Sequence, residues 1–242
     1  EWIALLSRND DAATREVLRK TGIGYVVHEP PAETVAPAPA TGPGLDVASA
    51  VQPLTITTEA DDDDIDDCPE LFAEEQRNAW HVFNGEEYFV DAAGRPAQVY
   101  TTLPPIAAEA RSTACQGVVG NWGDDAPGPG DYDGGHMLGS QLGGWGKRLN
   151  MVPQIANFNR GNWVQIENAA AKCKRLQPGQ LVYWVEVGYP DDDTLIPDTM
   201  SLYLEAGQDS IELTFDNAMG GGSNGLATRN QGVEFLKQLG CR

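Results

Sequence analysis

The sequence predicts an α+β domain, on three observations. Residues 86–103, "EEYFVDAAGRPAQVYTTL", alternate apolar and polar positions on both sides of a Gly94 turn, the pattern of a β-hairpin. Near the C-terminus "LVYWVEVGY", "MSLYLEA" and "SIELTF" read as strands separated by Pro, Asp and Gly turns. Between these strand groups lie a glycine-rich loop and one clear helix, "NRGNWVQIENAAAKCKRL", residues 159–176. Strands, loop, helix and strands in that order imply antiparallel sheet with segregated helix.

The remaining elements follow along the chain. Residues 10–21, "DDAATREVLRKT", fit a short helix capped by Asp10 or Asp11 and ended by Gly22. "GYVVHEP" reads as extended and stops at Pro30. Its His28 faces no evident partner and is structural or exposed. Residues 30–53 are rich in Pro and Ala, a linker composition, and "EADDDDIDDCPE" follows. Dense carboxylates repel one another, so this run reads as solvated chain. It lacks the glycine and terminal glutamate of an EF-hand, which argues against a calcium loop. Shielding of a basic site is a further possibility for it. "CPELFAEEQRNAWHVF" suggests a helix leading into a strand, with His81 packed between Trp80 and Val82. The expected organisation is an N-terminal segment (1–29), a Pro/Ala-rich and acidic linker (30–69) and a folded domain (70–242).

The chain of 242 residues carries a net charge of −20, unevenly spread. Residues 1–110 hold 6 Lys+Arg against 21 Asp+Glu, and residues 111–242 hold 10 against 15. The acidity argues against non-specific phosphate binding by the whole surface but permits a local cationic site in the second half. No apolar run approaches the roughly 20 residues of a membrane helix, and no signal peptide is visible. The first residue is Glu1, which suggests a processed chain or a fragment. Four cysteines, Cys68, Cys115, Cys173 and Cys241, form no CxxC pair, so a zinc ribbon is not expected. They fit two disulfides in any of three pairings, or four buried thiols.

The chemistry concentrates in residues 131–170. Asp133 and His136 form D-G-G-H, Asn150, Pro153 and Gln154 form N-x-x-P-Q, and Asn159, Trp163 and Glu167 form N-x₃-W-x₃-E. An imidazole with an unperturbed pKa of about 6.5 suits general-base activation of water. Phosphodiester hydrolysis also needs a cation, and Mg²⁺ takes hard oxygen ligands while keeping several waters, so one amide oxygen from Asn159 suffices. Glu167 lies eight residues on, about 80° around an ideal helix, placed to hold a metal-bound water. Arg160 suits bidentate contact with phosphate. Glycines around His136 would let a phosphate backbone approach closely. Each residue taken singly has a plainer reading: a histidine in a turn, an N-cap asparagine, a core tryptophan, a solvated glutamate.

The ordered set is more specific. It resembles the DNA/RNA non-specific endonucleases, the ββα-metal or His-Me finger nucleases, in the branch found as C-terminal toxin domains of secreted bacterial polymorphic toxins. The hairpin before the motif and "VEVGYPDDDTLIPDTMSLYLE…LTFDN" after it extend the resemblance over roughly residues 77–217. The resemblance does not extend to residues 1–76. The resemblance implies a ββα-metal fold, an antiparallel sheet with a catalytic loop and a metal-binding helix. It implies His136 as general base, Asp133 positioning the motif, Asn159 as direct Mg²⁺ ligand (with Mn²⁺ as an alternative ion) and Glu167 binding metal-coordinated water. Asn150 and Gln154 would support the loop. DNA and RNA would be substrates, with 5′-phosphate products. A toxin would be secreted or delivered into target cells and would have a cognate immunity protein as partner. Well-known members carry D-R-G-H, whereas Gly134 stands here in the arginine position. Arg160, Arg148, Lys147 and Arg111 are the candidates to replace that phosphate contact. Lys172, Lys174 and Arg175 would bind the substrate backbone or form a solvated helix end. Two other readings are compatible with the sequence: a nuclease-like binding module inactivated by Gly134, and a disulfide-linked β-rich interaction protein.

Overall fold

The computed structural model describes the backbone of residues 24–28 and, in full, residues 68–83, 85–103, 112–126, 130–173 and 180–241. The helix expected over 10–21, most of the 30–69 linker, Arg111, Lys174 and Arg175 lie outside the described residues.

Alternating sequences form one seven-stranded sheet. Its strands are β1 (Gly24–His28), β2 (Ala79–Phe83), β3 (Glu86–Val90), β4 (Pro96–Leu103), β7 (Leu181–Gly188), β8 (Thr199–Ala206) and β9 (Asp209–Asp216), adjacent in that order. β1 lies parallel to β2 and every later pair is antiparallel. The β3–β4 turn holds Gly94 at φ 95°, and Asp91 there accepts from the backbone N–H and Nε of Arg95. Along β8, Met200, Leu202 and Leu204 are buried while Ser201 and Tyr203 face outward, the two-residue period of a sheet with one covered face.

Two further strands, β5 (Tyr132–His136) and β6 (Met151–Ile155), form a separate antiparallel pair joined by the glycine-rich loop. β6 runs straight into helix α2, made of Ala156–Phe158, a wide turn Asn159–Trp163 and Val164–Ala170. This β-β-α unit and the antiparallel sheet make the α+β, ββα-metal fold that the sequence implied. α2 lays Phe158, Trp163 and Ile166 into the core against Phe215 and Leu213. Helix α3 (Gly225–Gln238) closes the same face through Leu236.

Three elements differ from expectation. Before β2 the chain makes one 3₁₀ turn (Glu74–Gln76) instead of a helix. Asn78 adopts φ 51°, which stops helical continuation, and the Arg77 Nε and His81 Nε2 atoms bond Phe72 O and Gln76 O. α3 was not foreseen. Neither was helix α1 (Thr113–Asp124), whose Ser112 side chain caps the Cys115 N–H. All four cysteines are paired, Cys68 with Cys115 and Cys173 with Cys241. The first tethers α1, and the second joins Cys173, three residues past α2, to Cys241, three residues past α3.

The bridges close loops spanning 47 and 68 residues, so chain entropy alone assigns each about 4 kcal/mol. Replacing either pair by serine should lower the unfolding free energy by roughly that amount in urea titrations. His81 is fully buried, and desolvation holds its pKa below the usual value in spite of the Gln76 carbonyl. The unfolded chain therefore binds a proton before the native one does, and stability is lost as pH falls from about 6.5. The urea midpoint should drop between about pH 7.5 and pH 5, and the drop should shrink in His81→Gln.

Candidate active site

The D-G-G-H strand, the start of α2 and one face of α1 converge on a polar cleft that includes Gln116, Asp133, Gly134, Asn159 and Arg160. Asp133 organises its floor. One carboxylate oxygen accepts from Asn159 Nδ2 at 2.8 Å and from Arg160 Nε at 2.9 Å, and the other accepts from Arg160 Nη2. Arg160 is two-thirds exposed, so this pair counts for orientation more than for stability. The hydrogen bonds that Arg160 donates to Asp133 raise its pKa and keep the guanidinium charged.

The wide turn in α2 decides how Asn159 and Glu167 relate. Val164 N–H reaches back five residues to Asn159 O, a π turn inside an α-helix. It absorbs one extra residue, roughly 100° of rotation. Asn159 and Glu167 therefore come within about 20° of one face, instead of the 80° of an unbroken helix. Asn162 Nδ2 bonds Gly220 O at 2.6 Å, and Trp163 Nε1 bonds the His136 carbonyl at 3.1 Å, which fixes the turn to its surroundings.

His136 ends β5 and is 7% exposed, with its Nδ1 3.4 Å from Gln116 Nε2. Glu167 is buried, its carboxylate lying where a Cβ on Gly139 would come within 2.9 Å. Burial, and then the Glu167 charge, push the Tyr183 phenol well above its ordinary pKa. Asn150 is fully buried and ties the loop together: it accepts from Leu138 N–H and donates to Leu138 O and Trp145 O. Gln154 faces Asp133 across the strand pair and donates to Met200 Sδ.

The loop glycines serve the protein's own packing, a correction to the expectation that they admit a phosphate backbone. A Cβ on Gly135 would strike the Gln154 amide, and one on Gly139 would strike Glu167. At Gly134 a Cβ would lie 2.4 Å from Gln116 O, so α1 stands where the side chain of D-R-G-H would start.

Two candidate cations are corrected as well. Arg148 is 1% exposed and donates to the carbonyls of Pro69, Glu70 and Met151, with its guanidinium 5.0 Å from the Trp122 ring. Burial lowers its pKa to about 10. It is an internal strut holding α1, not a phosphate contact. Lys147 is also buried, at 6% exposure. Of the four candidates only Arg160 is both described and in the cleft. Gln116 was missed, because nothing local in "STACQGVV" marks it; only the tertiary approach of α1 brings it to His136.

The donor set fits a hard cation. Asn159 spends its amide nitrogen on Asp133 and keeps Oδ1 as its acceptor. Among the described residues no three His, Cys, Asp or Glu side chains cluster closely enough to hold an ion. An amide oxygen is a hard donor of the kind such a cation takes.

A family model described as DNA/RNA non-specific endonuclease matches residues 77–207, from just before β2 to the turn after β8. Two solved structures are also similar, both of NucA from Streptococcus agalactiae. The form with no metal bound is 17% identical, with 55% of this chain and 70% of that chain covered and a TM-score of 0.38. The form with magnesium ion bound is 16% identical, with 57% and 74% covered and a TM-score of 0.41.

The α1 contact gives a direct test. Restoring the family arginine by Gly134→Arg should reduce rather than raise activity. It should also cost about 1–3 kcal/mol, read as a lower thermal midpoint, because the obstacle is backbone.

Proposed function

The chain belongs to the DNA/RNA non-specific endonuclease family, a nuclease that hydrolyses nucleic acid, and from that premise we propose that His136, Asn159, Glu167 and Arg160 form a Mg²⁺-dependent phosphodiesterase site. The observation that carries the reading is the Asp133 cluster, which fixes Asn159 and Arg160 in one cleft, with Gln116 of the cleft wall 3.4 Å from His136 Nδ1. His136 takes the proton from the attacking water. Asn159 would hold the cation through Oδ1, and Glu167, which the π turn turns toward the same face, would support its hydration. Mg²⁺, with Mn²⁺ as the alternative, would supply charge for the crowded phosphate and the leaving oxygen. Arg160 offers the exposed guanidinium that Gly134 cannot, and would exchange part of its Asp133 contact for a phosphate oxygen. Asp133 positions both neighbours, while Asn150 and Gln154 brace the loop and strand beneath. Cleavage would leave a 5′-phosphate, on DNA, RNA or both.

We further propose that residues 70–242 are the toxin domain of a secreted antibacterial effector, with a cognate immunity protein. Two disulfides support an oxidising compartment, and the D-G-G-H form supports the toxin branch. Among the described residues no helix is long and apolar enough to cross a membrane.

His136→Ala should slow plasmid and RNA degradation by about 10²–10⁴-fold with an unchanged circular dichroism spectrum. EDTA should abolish cleavage, Mg²⁺ should restore it, and Asn159→Ala should raise the Mg²⁺ concentration needed. Full activity of His136→Ala would overturn the assignment.

A further inference from the structure

Helix α1 carries more than packing. Its Gln116 carboxamide nitrogen lies 3.4 Å from His136 Nδ1, across 20 residues of sequence. That approach is built from several independent contacts. Gly134 has no Cβ, so β5 meets the backbone of Gln116 directly. A Cβ on Gly120 would lie 3.0 Å from Tyr132 O, and one on Gly123 would overlap the Tyr132 ring. Asp124 Oδ1 accepts the Tyr132 N–H at 2.8 Å. Cys115, the residue before Gln116, is bonded to Cys68. Arg148 lies over Trp122 on the same helix.

A primary amide nitrogen is only a donor, so Gln116 Nε2 bonds His136 Nδ1 in the tautomer where Nδ1 is the acceptor. A neutral imidazole has one acceptor nitrogen and one N–H, and the hydrogen bond at one nitrogen selects the tautomer. We propose that Gln116 is a positioning residue that holds neutral His136 with its lone pair on Nδ1 and its proton on Nε2. The lone pair that removes a proton from water then sits on the nitrogen facing the cleft wall that Gln116 helps to form. The contact is long, so incoming water displaces it at little cost, while the ring orientation is set beforehand. This inference rests on His136 acting as the general base.

The test uses the full chain with ¹⁵N-labelled histidine at about pH 8, above the ordinary histidine range. NMR of the ring nitrogens reports the tautomer, and steady-state cleavage reports kcat and KM. In the wild type, His136 should be mainly the Nε2–H form. Gln116→Met keeps the side-chain length and removes the donor; it should mix the tautomers and lower kcat by about ten- to a hundredfold with KM little changed. Gln116→Glu supplies an acceptor instead; it should favour the Nδ1–H form and lower kcat further. A wild-type Nδ1–H form would overturn the proposal. So would an unchanged tautomer or unchanged kcat in Gln116→Met. Failure of the base assignment has a separate signature: full activity in His136→Ala.

Discussion

The site depends on one close approach, the backbone of α1 against β5 at Gly134. A side chain cannot stand there, because its first carbon would meet Gln116 O at 2.4 Å. Backbone contact of this kind gains little by itself, so other forces must hold the helix down. Val119 and Met151 are fully buried with the Cys68–Cys115 pair in a small core of their own. The Arg148 guanidinium spans from the Pro69 and Glu70 carbonyls to Met151 O beneath Trp122. A buried guanidinium is tolerated because three carbonyls accept from it. The price is an arginine that never reaches substrate.

The π turn is the second constraint. It departs from the favoured α geometry and persists because its surroundings fix it. Asn159 and Trp163 donate to the two ends of β5, to Asp133 and the His136 carbonyl, and Asn162 donates to Gly220 O. Those three bonds connect the start of α2, the C-terminal loop and the D-G-G-H strand. Geometry at Asn159 is thus coupled to the position of His136 twice, through Asp133 on the same strand and through Trp163.

Much of the architecture was legible because it is written locally. Strands β3 and β8 alternate strictly, β4, β7 and β9 are apolar or β-branched runs between turn residues, and D-G-G-H, N-x-x-P-Q and N-x₃-W-x₃-E occupy one short span. What was missed depends on tertiary contact. α1 holds Gly117, Gly120 and Gly123, which lower helix propensity. Two of those glycines are there because Tyr132 leaves no room for more. α3 is similarly diluted, and a Cβ on its Gly232 would press within 2.5 Å of Leu213. Arg148 and Lys147 read as surface cations because burial of a charge has no signature in sequence. The π turn has none either, so the sequence offers only the 80° offset of an ideal helix between Asn159 and Glu167.

Electrostatics ties the cleft to its proposed cation. Asp133 and Glu167 are carboxylates, and Arg160 is the one guanidinium among the described cleft residues. With both acids ionised, the formal sum at the site is negative, and a phosphodiester approaching it is repelled. The exposed Arg160 cannot reverse this alone, because its charge is already shared with Asp133 and screened by solvent. Only with a divalent cation held at Asn159 does the sum become positive. On the proposed reading, therefore, ion and substrate binding are linked, each lowering the electrostatic cost of the other. A site built with D-R-G-H would carry that extra positive charge permanently. Here the space belongs to α1, and the charge has to arrive with the ion.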